Sequence, residues 1–362
     1  MNTNKYEHEF WLHCLPNISN LVKFKLHSIF PDLEELRKEK EKSLQCLKFL
    51  SETHIRRILH GQSDKDISKL YQSLAKKSIQ HFPWNSPNYP SQLMNIFDPP
   101  FGLFVKGDLP VFQQYRVAII GARKCTPYGE RNALHFAQEL GQSGLQVISG
   151  MAYGIDGFGH RGAIQGGGRT FAVLGCGVDV CYPREHIGLY QDILNHGGGI
   201  ISEYPPGTSP LAYHFPARNR LISALSDFLI IIEAKKRSGS LITADLALEQ
   251  GKDVYALPGP VDSTFSQGCH QLIKQGAGIL LSPEILLEDF GMMTNKTKGG
   301  KKKILDSSEN LVYSLLCLQP KRFDDLLIET KMEIGILMGV LISLELKGYV
   351  KEVSKHNYVK YL

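Results

Sequence analysis

A glycine and two basic residues follow an apolar run near the middle of the sequence. The run Val117-Ala-Ile-Ile120 is succeeded by Gly121-Ala122-Arg123-Lys124, and a helical stretch begins at Glu130. Glycine lets an anion approach the backbone, free N–H groups at a helix start attract negative charge, and arginine can hold phosphate through two parallel hydrogen bonds. This turn is a candidate phosphate site, although an ordinary tight turn with an exposed arginine explains it equally well when it is taken alone.

A second glycine-rich turn follows the apolar run at 145–148. It reads Ser149-Gly150-Met-Ala-Tyr-Gly154-Ile-Asp156, and glycines also stand at positions 157 and 159. Such a turn predicts a second phosphate cradle. We expect Asp156 to cap the helix that follows rather than to act as a catalytic acid.

The densest group of polar and basic residues lies between positions 214 and 243. Phe215 precedes Arg218-Asn219-Arg220, and the basic triplet Lys235-Lys236-Arg237 leads into Ser238-Gly239-Ser240 at the predicted start of a helix. Hydroxyls, backbone amides and guanidinium groups bind phosphate oxygens, and a phenyl ring offers a face on which a base can stack. The group therefore predicts contacts to both the backbone and the bases of a nucleic acid.

These turns together define a predicted site for phosphate or DNA. For single members, the alternative is that Phe215 is a core residue and that Arg218 or Arg220 pairs with Glu203 or Glu233. We expect no catalytic residue and no metal ligand in the set. The predicted binding residues are Gly121, Arg123, Lys124, Ser149, Gly150, Gly154, Phe215, Arg218, Asn219, Arg220, Lys235, Lys236, Arg237, Ser238, Gly239 and Ser240.

Motifs for nucleotide cofactors and metals are incomplete or missing from the sequence. Gly175-Cys176-Gly177 starts like a dinucleotide fingerprint but lacks the third glycine, and Gly251-Lys252 is followed by Asp253 where a triphosphate loop needs serine or threonine. The seven cysteines include no Cys-x-x-Cys pair, which argues against a zinc site or a disulfide framework. We therefore predict no cofactor and no bound metal.

Apolar runs alternate with helical stretches between about residues 110 and 290. This alternation predicts an α/β unit with a mainly parallel sheet and helices on both faces. In parallel sheets ligands bind beyond the carboxyl ends of the strands, where the glycine-rich turns of this sequence fall. The predicted strands lie at 117–120, 145–148, 170–174, 199–201, 228–232, 254–257 and 279–281.

The flanking segments have other patterns. Residues 1–80 place apolar side chains three and four positions apart between charged ones, which predicts a small helical domain. Prolines punctuate 82–110 and predict an extended connection along the edge of the next domain. Residues 291–303 predict a flexible basic linker, and 304–362 predict a winged-helix-like domain with three helices and a closing strand pair. Its third helix, at 334–346, contains no basic residue, which favours protein contact over DNA reading.

The composition is that of a globular protein with more than one domain. The 362 residues exceed the ~100–200 usual for a single domain. Hydrophobic residues at 43% and charged residues at 21% are ordinary values, and no apolar run approaches the ~18 residues that span a bilayer. The first ten residues lack the apolar stretch of an export signal, so we expect a cytoplasmic protein without membrane insertion. The net charge of +5 is too small to identify a polyanionic partner.

In their order, the motifs from about residue 80 to 290 resemble those of the DNA-processing protein A family, DprA or Smf. The resemblance implies an extended Rossmann-like fold at 81–290, flanked by a SAM-like or helix-hairpin-helix-like N-terminal domain and a winged C-terminal domain. It also implies a homodimer that binds single-stranded DNA without catalysis and assists the loading of RecA recombinase on incoming DNA in natural transformation. The matching elements are Tyr89-Pro90, Asp98-Pro99-Pro100, Lys106-Gly107, Gly121-Ala-Arg123, Ser149-Gly150-x-Ala152-x-Gly154-Ile-Asp156, Tyr182-Pro183, Ser202-Glu203-Tyr204-Pro205, Phe215-Pro-x-Arg218-Asn-Arg220, Ser238-Gly-Ser-Leu-Ile-Thr-Ala244 and Pro258-Gly259.

The resemblance carries roles to two residues and shows two departures. In the family, the arginine matching Arg123 and the aromatic residue matching Phe215 contact DNA. Some relatives also use a lysine three residues before that aromatic; this position is Ala212 here, and the basic triplet at 235–237 can supply the charge instead. His270 stands where relatives commonly have asparagine, near the surface through which they dimerise, so the strength of a dimer is open.

Two other classes of function compete with DNA binding. One is a nucleoside-monophosphate phosphoribohydrolase of the lysine-decarboxylase-like group, which has a related core and resembles the chain around Arg218. Those enzymes usually carry Pro-Gly-Gly-x-Gly-Thr-x-x-Glu, whereas Ser238-Gly-Ser-Leu-Ile-Thr243 lacks these glycines and Glu249 stands six residues after the threonine. The other is a protein-interaction adaptor that acts through the two terminal domains.

Overall fold

A computed structural model of the protein describes residues 6–62, 65–292, 305–317 and 320–360. Most of the predicted basic linker, residues 293–303, lies outside the described residues. The described parts form an N-terminal group of helices, a central α/β unit and a C-terminal winged-helix unit. Within these parts, no helix combines the length and the apolar character needed to cross a membrane.

Six short helices occupy the described residues between positions 7 and 73. Apolar side chains recur along them every three or four positions, so the helices bury one stripe each, and Trp11, Leu26 and Leu36 are buried. Ser19 and Asp32 accept hydrogen bonds from first-turn amides and so fix where the second and third helices begin. The helices are α1 (Glu7–Cys14), α2 (Asn20–Ile29), α3 (Leu33–Lys38), α4 (Glu41–Gln45), α5 (Glu52–Gln62) and α6 (Lys65–Ser73).

The central unit is built on a nine-stranded sheet in the continuously described stretch 65–292. Its last seven strands run parallel to one another. The first five of these seven are buried along their whole length, whereas the last two are partly exposed. The strands are β1 (Ile79–Pro83), β2 (Gly102–Gly107), β3 (Arg116–Ile120), β4 (Gln146–Ser149), β5 (Thr170–Val173), β6 (Gly199–Ser202), β7 (Phe228–Ile231), β8 (Asp253–Ala256) and β9 (Gly278–Ile279).

Helices cover both faces of this sheet. One face packs against the helices at 214–225, 239–249 and 267–274. The opposite face packs against the helices at 127–142, 155–165 and 283–289. The predicted mainly parallel α/β fold with helices on both faces is confirmed. The helices are α7 (Pro127–Gln142), α8 (Ile155–Gln165), α9 (Ile187–Asn195), α10 (His214–Leu225), α11 (Gly239–Glu249), α12 (Gln267–Lys274) and α13 (Pro283–Asp289).

The strand order creates a crevice in the middle of the sheet. The order is β1-β2-β6-β5-β4-β3-β7-β8-β9. From β3 the chain crosses through α7 to β4 on one side, whereas from β7 it crosses through α11 to β8 on the other side. Because the crossovers diverge between β3 and β7, the loops at the carboxyl ends of these two strands leave a space for a ligand.

The connection predicted as extended between residues 82 and 110 contains a strand that is part of the core. β2 pairs antiparallel with β6, and β1 pairs antiparallel with β2. Leu103, Phe104 and Val105 in β2 are fully buried. The prolines of this segment mark the ends of strands, such as Pro83 at the end of β1, rather than an absence of strands.

The N-terminal helices share their core with the sheet. Phe10 of α1 packs in one cluster with Ile79 and Phe104, and Phe101 beside β2 packs in a second cluster with Trp11. A domain boundary near residue 80, as predicted from the sequence, therefore does not coincide with a break in packing.

The C-terminal unit has three helices and a three-stranded sheet within residues 305–317 and 320–360, which confirms the predicted winged helix. Its first helix starts four residues earlier than the predicted position 311, because Asp306 and Glu309 form a capping box there. The elements are α14 (Ser307–Leu315), β10 (Lys321–Arg322), α15 (Phe323–Thr330), α16 (Ile334–Leu346), β11 (Val350–Ser354) and β12 (Asn357–Lys360).

Candidate functional site

A cavity of about 720 Å³ opens at the crevice between β3 and β7. Its walls come from the loops that follow these strands, from the start of α8 and from the first turns of α10 and α11. The structure thus brings together side chains that are more than 100 positions apart in sequence. The predicted binding residues that line the cavity are Gly121, Arg123, Lys124, Phe215, Arg218, Asn219, Lys235, Arg237, Ser238, Gly239 and Ser240.

A cation and two aromatic rings lie together on one wall. The Arg123 guanidinium is 5.6 Å from the centroid of the Phe215 ring, and the Tyr182 ring lies 5.3 Å from Phe215 at an angle of 32°. A Cβ atom at Gly175 would come within 3.1 Å of the Phe215 ring, so glycine makes room for the phenyl group at this position. This wall offers an exposed charge for phosphate beside a π-face for a base.

Arg218 lines the cavity as a buried cation rather than as an exposed side chain. Its side chain is 4% exposed, and Nη1 donates hydrogen bonds to the carbonyl oxygens of Val173 and of Gly150, the latter over 2.9 Å. Burial lowers the pKa of Arg218 to about 10, and nearby Asp156 partly opposes the decrease. The group therefore remains protonated at neutral pH and places a positive charge beneath the cavity.

The start of α11 faces the cavity from the opposite wall. The Ser238 hydroxyl accepts a hydrogen bond from the Ser240 amide over 3.4 Å and lies 2.7 Å from the Ser240 hydroxyl. Lys235 lies over the Phe265 ring at 4.6 Å, and Arg237 is exposed. A helix start with hydroxyls and two cations is suited to bind phosphate oxygens.

Glu233 ties the loops on the two sides of the crevice together. This buried carboxylate accepts hydrogen bonds from the amide and the hydroxyl of Thr126, over 2.9 and 2.5 Å. A Cβ atom at Gly129, the third residue of α7, would come within 2.5 Å of the same carboxylate, so glycine leaves room for Glu233 at this position. Glu233 thus positions the start of α7 and does not pair with Arg218 or Arg220.

The turn after β4 supports the cavity without contributing predicted binding residues to its wall. The buried Ser149 hydroxyl donates to the Ile119 carbonyl over 2.6 Å. A Cβ atom at Gly150 would come within 2.5 Å of the Arg218 guanidinium. A Cβ atom at Gly154, whose φ is +72°, would come within 2.3 Å of the Ala122 carbonyl oxygen. In this structure Ser149, Gly150 and Gly154 do not line the cavity, and the glycines allow close packing between loops; phosphate binding by this turn stays a prediction.

Asp156 lines the cavity but does not cap its helix as expected. The residue before α8 is Gly154, and no side chain caps the helix. The Asp156 carboxylate accepts hydrogen bonds from the amides of Gly150 over 3.1 Å and Ala152 over 3.4 Å. Burial raises the pKa of Asp156, while the Arg218 charge opposes the rise.

Arg220 and Lys236 do not line the cavity. Arg220 is 9% exposed, and its guanidinium binds both carboxylate oxygens of Glu203, at 2.7 and 2.6 Å, and the Asp98 carbonyl at 2.8 Å. Burial disfavours the protonated form of Arg220, but the Glu203 charge favours it more strongly, so the pKa of Arg220 is raised. The prediction that Arg220 binds DNA is corrected, and the pairing with Glu203 considered as the alternative is what the structure shows. Lys236 is exposed outside the cavity wall.

Tyr182 and Phe265 are aromatic residues of the cavity wall that were not predicted from the sequence as binding residues. Tyr182 is 41% exposed, and its ring lies 5.3 Å from that of Phe215 at a tilt of 32°, although the two residues are 33 positions apart. The Tyr182-Pro183 motif was the available signal, but a sequence alone does not show that this loop meets the start of α10. In the described residues, no group of three histidine, cysteine, aspartate or glutamate side chains could hold a metal ion.

Two family models match the chain. The model of DNA recombination-mediator protein A matches residues 80–291, and the DprA winged helix domain matches residues 297–354. Among curated relatives, Protein Smf of Escherichia coli (strain K12) is 44% identical over 232 residues, which are 64% of this chain and 60% of that protein. The DNA processing protein DprA of Streptococcus pneumoniae is 43% identical over 217 residues, covering 59% of this chain and 76% of the relative.

Solved structures agree with these matches. The X-ray structure of DprA from Streptococcus pneumoniae has a TM-score of 0.68 and 33% identity, and the match covers 78% of this chain and 97% of that one. DNA processing protein A from Helicobacter pylori, whose structure is described as giving insight into a unique single-stranded DNA binding mode, has a TM-score of 0.54 and 31% identity; 59% of this chain and 95% of that one are covered. The chain belongs to the DNA recombination-mediator protein A family, DprA or Smf.

Proposed function

We propose that this chain is a cytoplasmic protein that binds single-stranded DNA in the cavity between β3 and β7 and assists the loading of RecA recombinase on incoming DNA in natural transformation. The observation that carries the proposal is the wall on which the Arg123 guanidinium lies 5.6 Å from the Phe215 ring, with the Tyr182 ring 5.3 Å from Phe215 at a tilt of 32°. Family membership and the described DNA binding of the Helicobacter pylori relative support the same ligand.

The chemistry of the cavity matches an unpaired strand. Arg123, Lys235 and Arg237 neutralise phosphates, and the amides at the start of α11 add hydrogen bonds. Phe215 and Tyr182 can stack with a base of any type, since every base has a π-face. In a duplex, neighbouring base pairs cover these faces, so stacking requires that the base has left its helix.

We propose further that the chain catalyses no reaction on its ligand. Asp156 is the single carboxylate among the described residues that line the cavity, and two backbone amides hold it above the Arg218 charge. Glu249, the counterpart considered for a phosphoribohydrolase, is the last residue of α11, at the end away from the cavity. Neither group is placed like a free general base. Release of free base from a nucleoside monophosphate by the purified protein would revive the enzymatic alternative.

The test of binding compares one labelled oligonucleotide as a single strand and as a duplex, at the same salt concentration. Fluorescence anisotropy is expected to give a Kd at least roughly tenfold lower for the single strand, because only its bases can reach the aromatic wall. Equal or tighter binding of the duplex would overturn the proposal.

We propose a homodimer formed at the β9 edge of the sheet. Apolar side chains are exposed around this edge, with Val261 at 87% and Leu281 at 63%. His270, which replaces the common asparagine, lies with its Nε2 3.0 Å from the Gly259 carbonyl and thus supports the loop that carries Val261. Analytical ultracentrifugation should show a dimer that Leu281→Glu converts to a monomer.

The winged unit is proposed to contact protein rather than DNA. Its third helix, α16, exposes Ile334, Met338, Ile342 and Leu346 at four-residue spacing, which places them on one side of the helix. Lysine and arginine are absent from this helix, so it offers no charge to phosphate. The assistance to RecA and the surface that provides it rest on family membership.

A further inference from the structure

Arg220 lies at the centre of a buried cluster of charges behind the cavity. Its guanidinium forms the two-pronged pair with Glu203, and its Nη2 is also 3.2 Å from the Asp98 carboxylate. Because Arg220 follows Asn219 directly on α10, whatever fixes Arg220 also fixes how this helix presents Arg218 and Asn219 to the cavity.

The N-terminal helices contribute to this cluster through one amide. Asn20, the first residue of α2, donates from Nδ2 to the Glu203 carboxylate over 3.4 Å. Its Oδ1 accepts from the Phe101 amide over 3.4 Å. Asn20 thus bonds Glu203, the carboxylate that holds Arg220 through both of its oxygens.

A buried lysine supplies the second positive charge. Lys23 is 5% exposed, and its ammonium donates to the His13 carbonyl over 2.6 Å. His13 in turn donates from Nε2 to the Glu203 carbonyl over 2.9 Å and accepts from His81 at Nδ1 over 3.0 Å. Burial lowers the pKa of both histidines, that of His81 to about 3, so they are neutral.

The cluster contains two cations and two anions, and one cation comes from the N-terminal helices. Arg220 pairs with buried Glu203 and half-buried Asp98, whereas Lys23 donates to the His13 carbonyl and feels the charges of both carboxylates without pairing with either. Without Lys23 the buried cluster would carry a net negative charge, and a buried charge without compensation is costly. The charge balance of the cluster is therefore shared between α2 and the central unit.

We propose that the N-terminal helical unit positions the DNA-binding residues of α10, with Asn20 and Lys23 as positioning residues that act through Glu203, Asp98 and Arg220. The inference rests on the proposed single-stranded DNA binding. It assigns to the helices at 7–73 a role in the affinity of a cavity that they do not line.

The experiment uses the full chain and compares two neighbouring substitutions in α2. Asn20→Asp keeps the size of the side chain but adds a third carboxylate to the cluster, and it suits a helix start electrostatically. Ser19→Ala removes the hydroxyl that caps the same helix without touching Glu203. Lys23→Met, which removes the buried cation, is the second variant that tests the cluster.

The Kd for a labelled single strand and the Tm are measured for each variant, well below the lowest Tm. Asn20→Asp and Lys23→Met are expected to raise Kd by roughly tenfold with an unchanged salt slope, because no phosphate contact is lost. Ser19→Ala should lower Tm but change Kd less than about twofold.

Unchanged Kd values for Asn20→Asp and Lys23→Met would overturn the inference, as would an equal loss of affinity in Ser19→Ala. Arg123→Ala, measured in parallel, separates this from the proposed function. If Arg123→Ala weakens binding while the α2 variants do not, only the positioning role fails. If Arg123→Ala binds like the parent, the cavity assignment itself fails.

Discussion

Two groups of cationic side chains lie on opposite sides of α10 and have opposite surroundings. The cavity cations, Arg123, Lys124, Lys235 and Arg237, are exposed, and no ion pair within the described residues includes them. In the buried cluster, Arg220 and Lys23 are almost fully shielded from water; Arg220 pairs with Glu203 and Asp98, and Lys23 donates to the His13 carbonyl. The cations of the first group can exchange water for phosphate, whereas those of the second are already bound to carboxylate or carbonyl oxygens of the protein.

This difference shows that a basic residue in a DNA-binding motif is not thereby a DNA ligand. Arg218 and Arg220 belong to one motif and stand two positions apart, yet one lines the cavity and the other is committed to Glu203. We infer that an exposed positive charge without a carboxylate partner contributes to the proposed DNA affinity, whereas a paired, buried one contributes to the geometry that this binding requires. Substitutions in the two groups should therefore separate stability from binding.

The largest effect on stability is expected from Arg220→Met. The substitution leaves the buried Glu203 carboxylate without its cation, which should lower the free energy of unfolding by about 3–5 kcal/mol. Urea denaturation followed by circular dichroism measures the loss. Arg123→Met is the matched control, with an expected change within about 0.5 kcal/mol. Similar losses in both variants would mean that the two groups do not differ as described.

A pH dependence is expected from Lys23. Burial lowers its pKa to about 8, against 10.5 in the unfolded chain, with Cys14, Glu203 and Asp98 opposing the decrease. Between these values the unfolded chain binds more protons, so the Lys23 contribution to the free energy of unfolding rises with pH by on the order of 3 kcal/mol. The rise should appear as a growing difference between the parent and Lys23→Met from pH 8 to 10.5. If the free energies of unfolding of the parent and of Lys23→Met changed with pH in parallel, the Lys23 ammonium would be exposed to water in the folded protein.

Substitution of Phe215 should weaken DNA binding and leave folding nearly unchanged. Phe215→Leu removes the π-face but keeps apolar contact, and a lost base stack costs about 1–3 kcal/mol of binding free energy. Kd for a single strand is then roughly 5- to 150-fold higher. Phe215→Tyr is the control that retains the ring. A Kd for Phe215→Leu within twofold of the parent would exclude stacking at this position.

The smallest effect on binding is expected from Ser149→Ala. Its hydroxyl bonds the Ile119 carbonyl and does not reach the cavity, so the loss should be about 1 kcal/mol of stability and less than about twofold in Kd. Calorimetry and anisotropy measure the two quantities on the same sample. A large increase in Kd without loss of stability would return Ser149 to the binding surface.

Much of the fold followed from local pattern. The apolar runs at 117–120 and 228–232 predict buried strands because parallel strands are covered on both faces, and the structure places β3 and β7 there. β2 was missed because prolines surround an apolar run that pairs with β6, a partner almost 100 positions away. Pairing over such distances leaves little trace in local composition.

The residues of the candidate site were likewise predictable from the sequence where local pattern places them, and not where long-range packing does. Arg123, Phe215 and Ser238 follow strands or begin helices, and their place in a parallel fold is enough to bring them to one crevice. The sequence could name Glu203 as a possible partner of Arg220, but it could not decide between this pairing and exposure, because that depends on the packing of β6 against α10. The contribution of Asn20 and Lys23 was beyond reach for the same reason.

The most direct test of the cavity as the DNA site is the salt dependence of single-strand binding for the parent, Arg123→Ala and Lys236→Ala. The two substituted residues are both exposed cations, but only Arg123 lines the cavity. Arg123→Ala should raise Kd and reduce the slope of log K against log salt by about 0.7, the value for one phosphate contact of a single strand. Lys236→Ala should keep the parent slope. A parent-like slope and Kd for Arg123→Ala would contradict the assignment of this cavity to DNA.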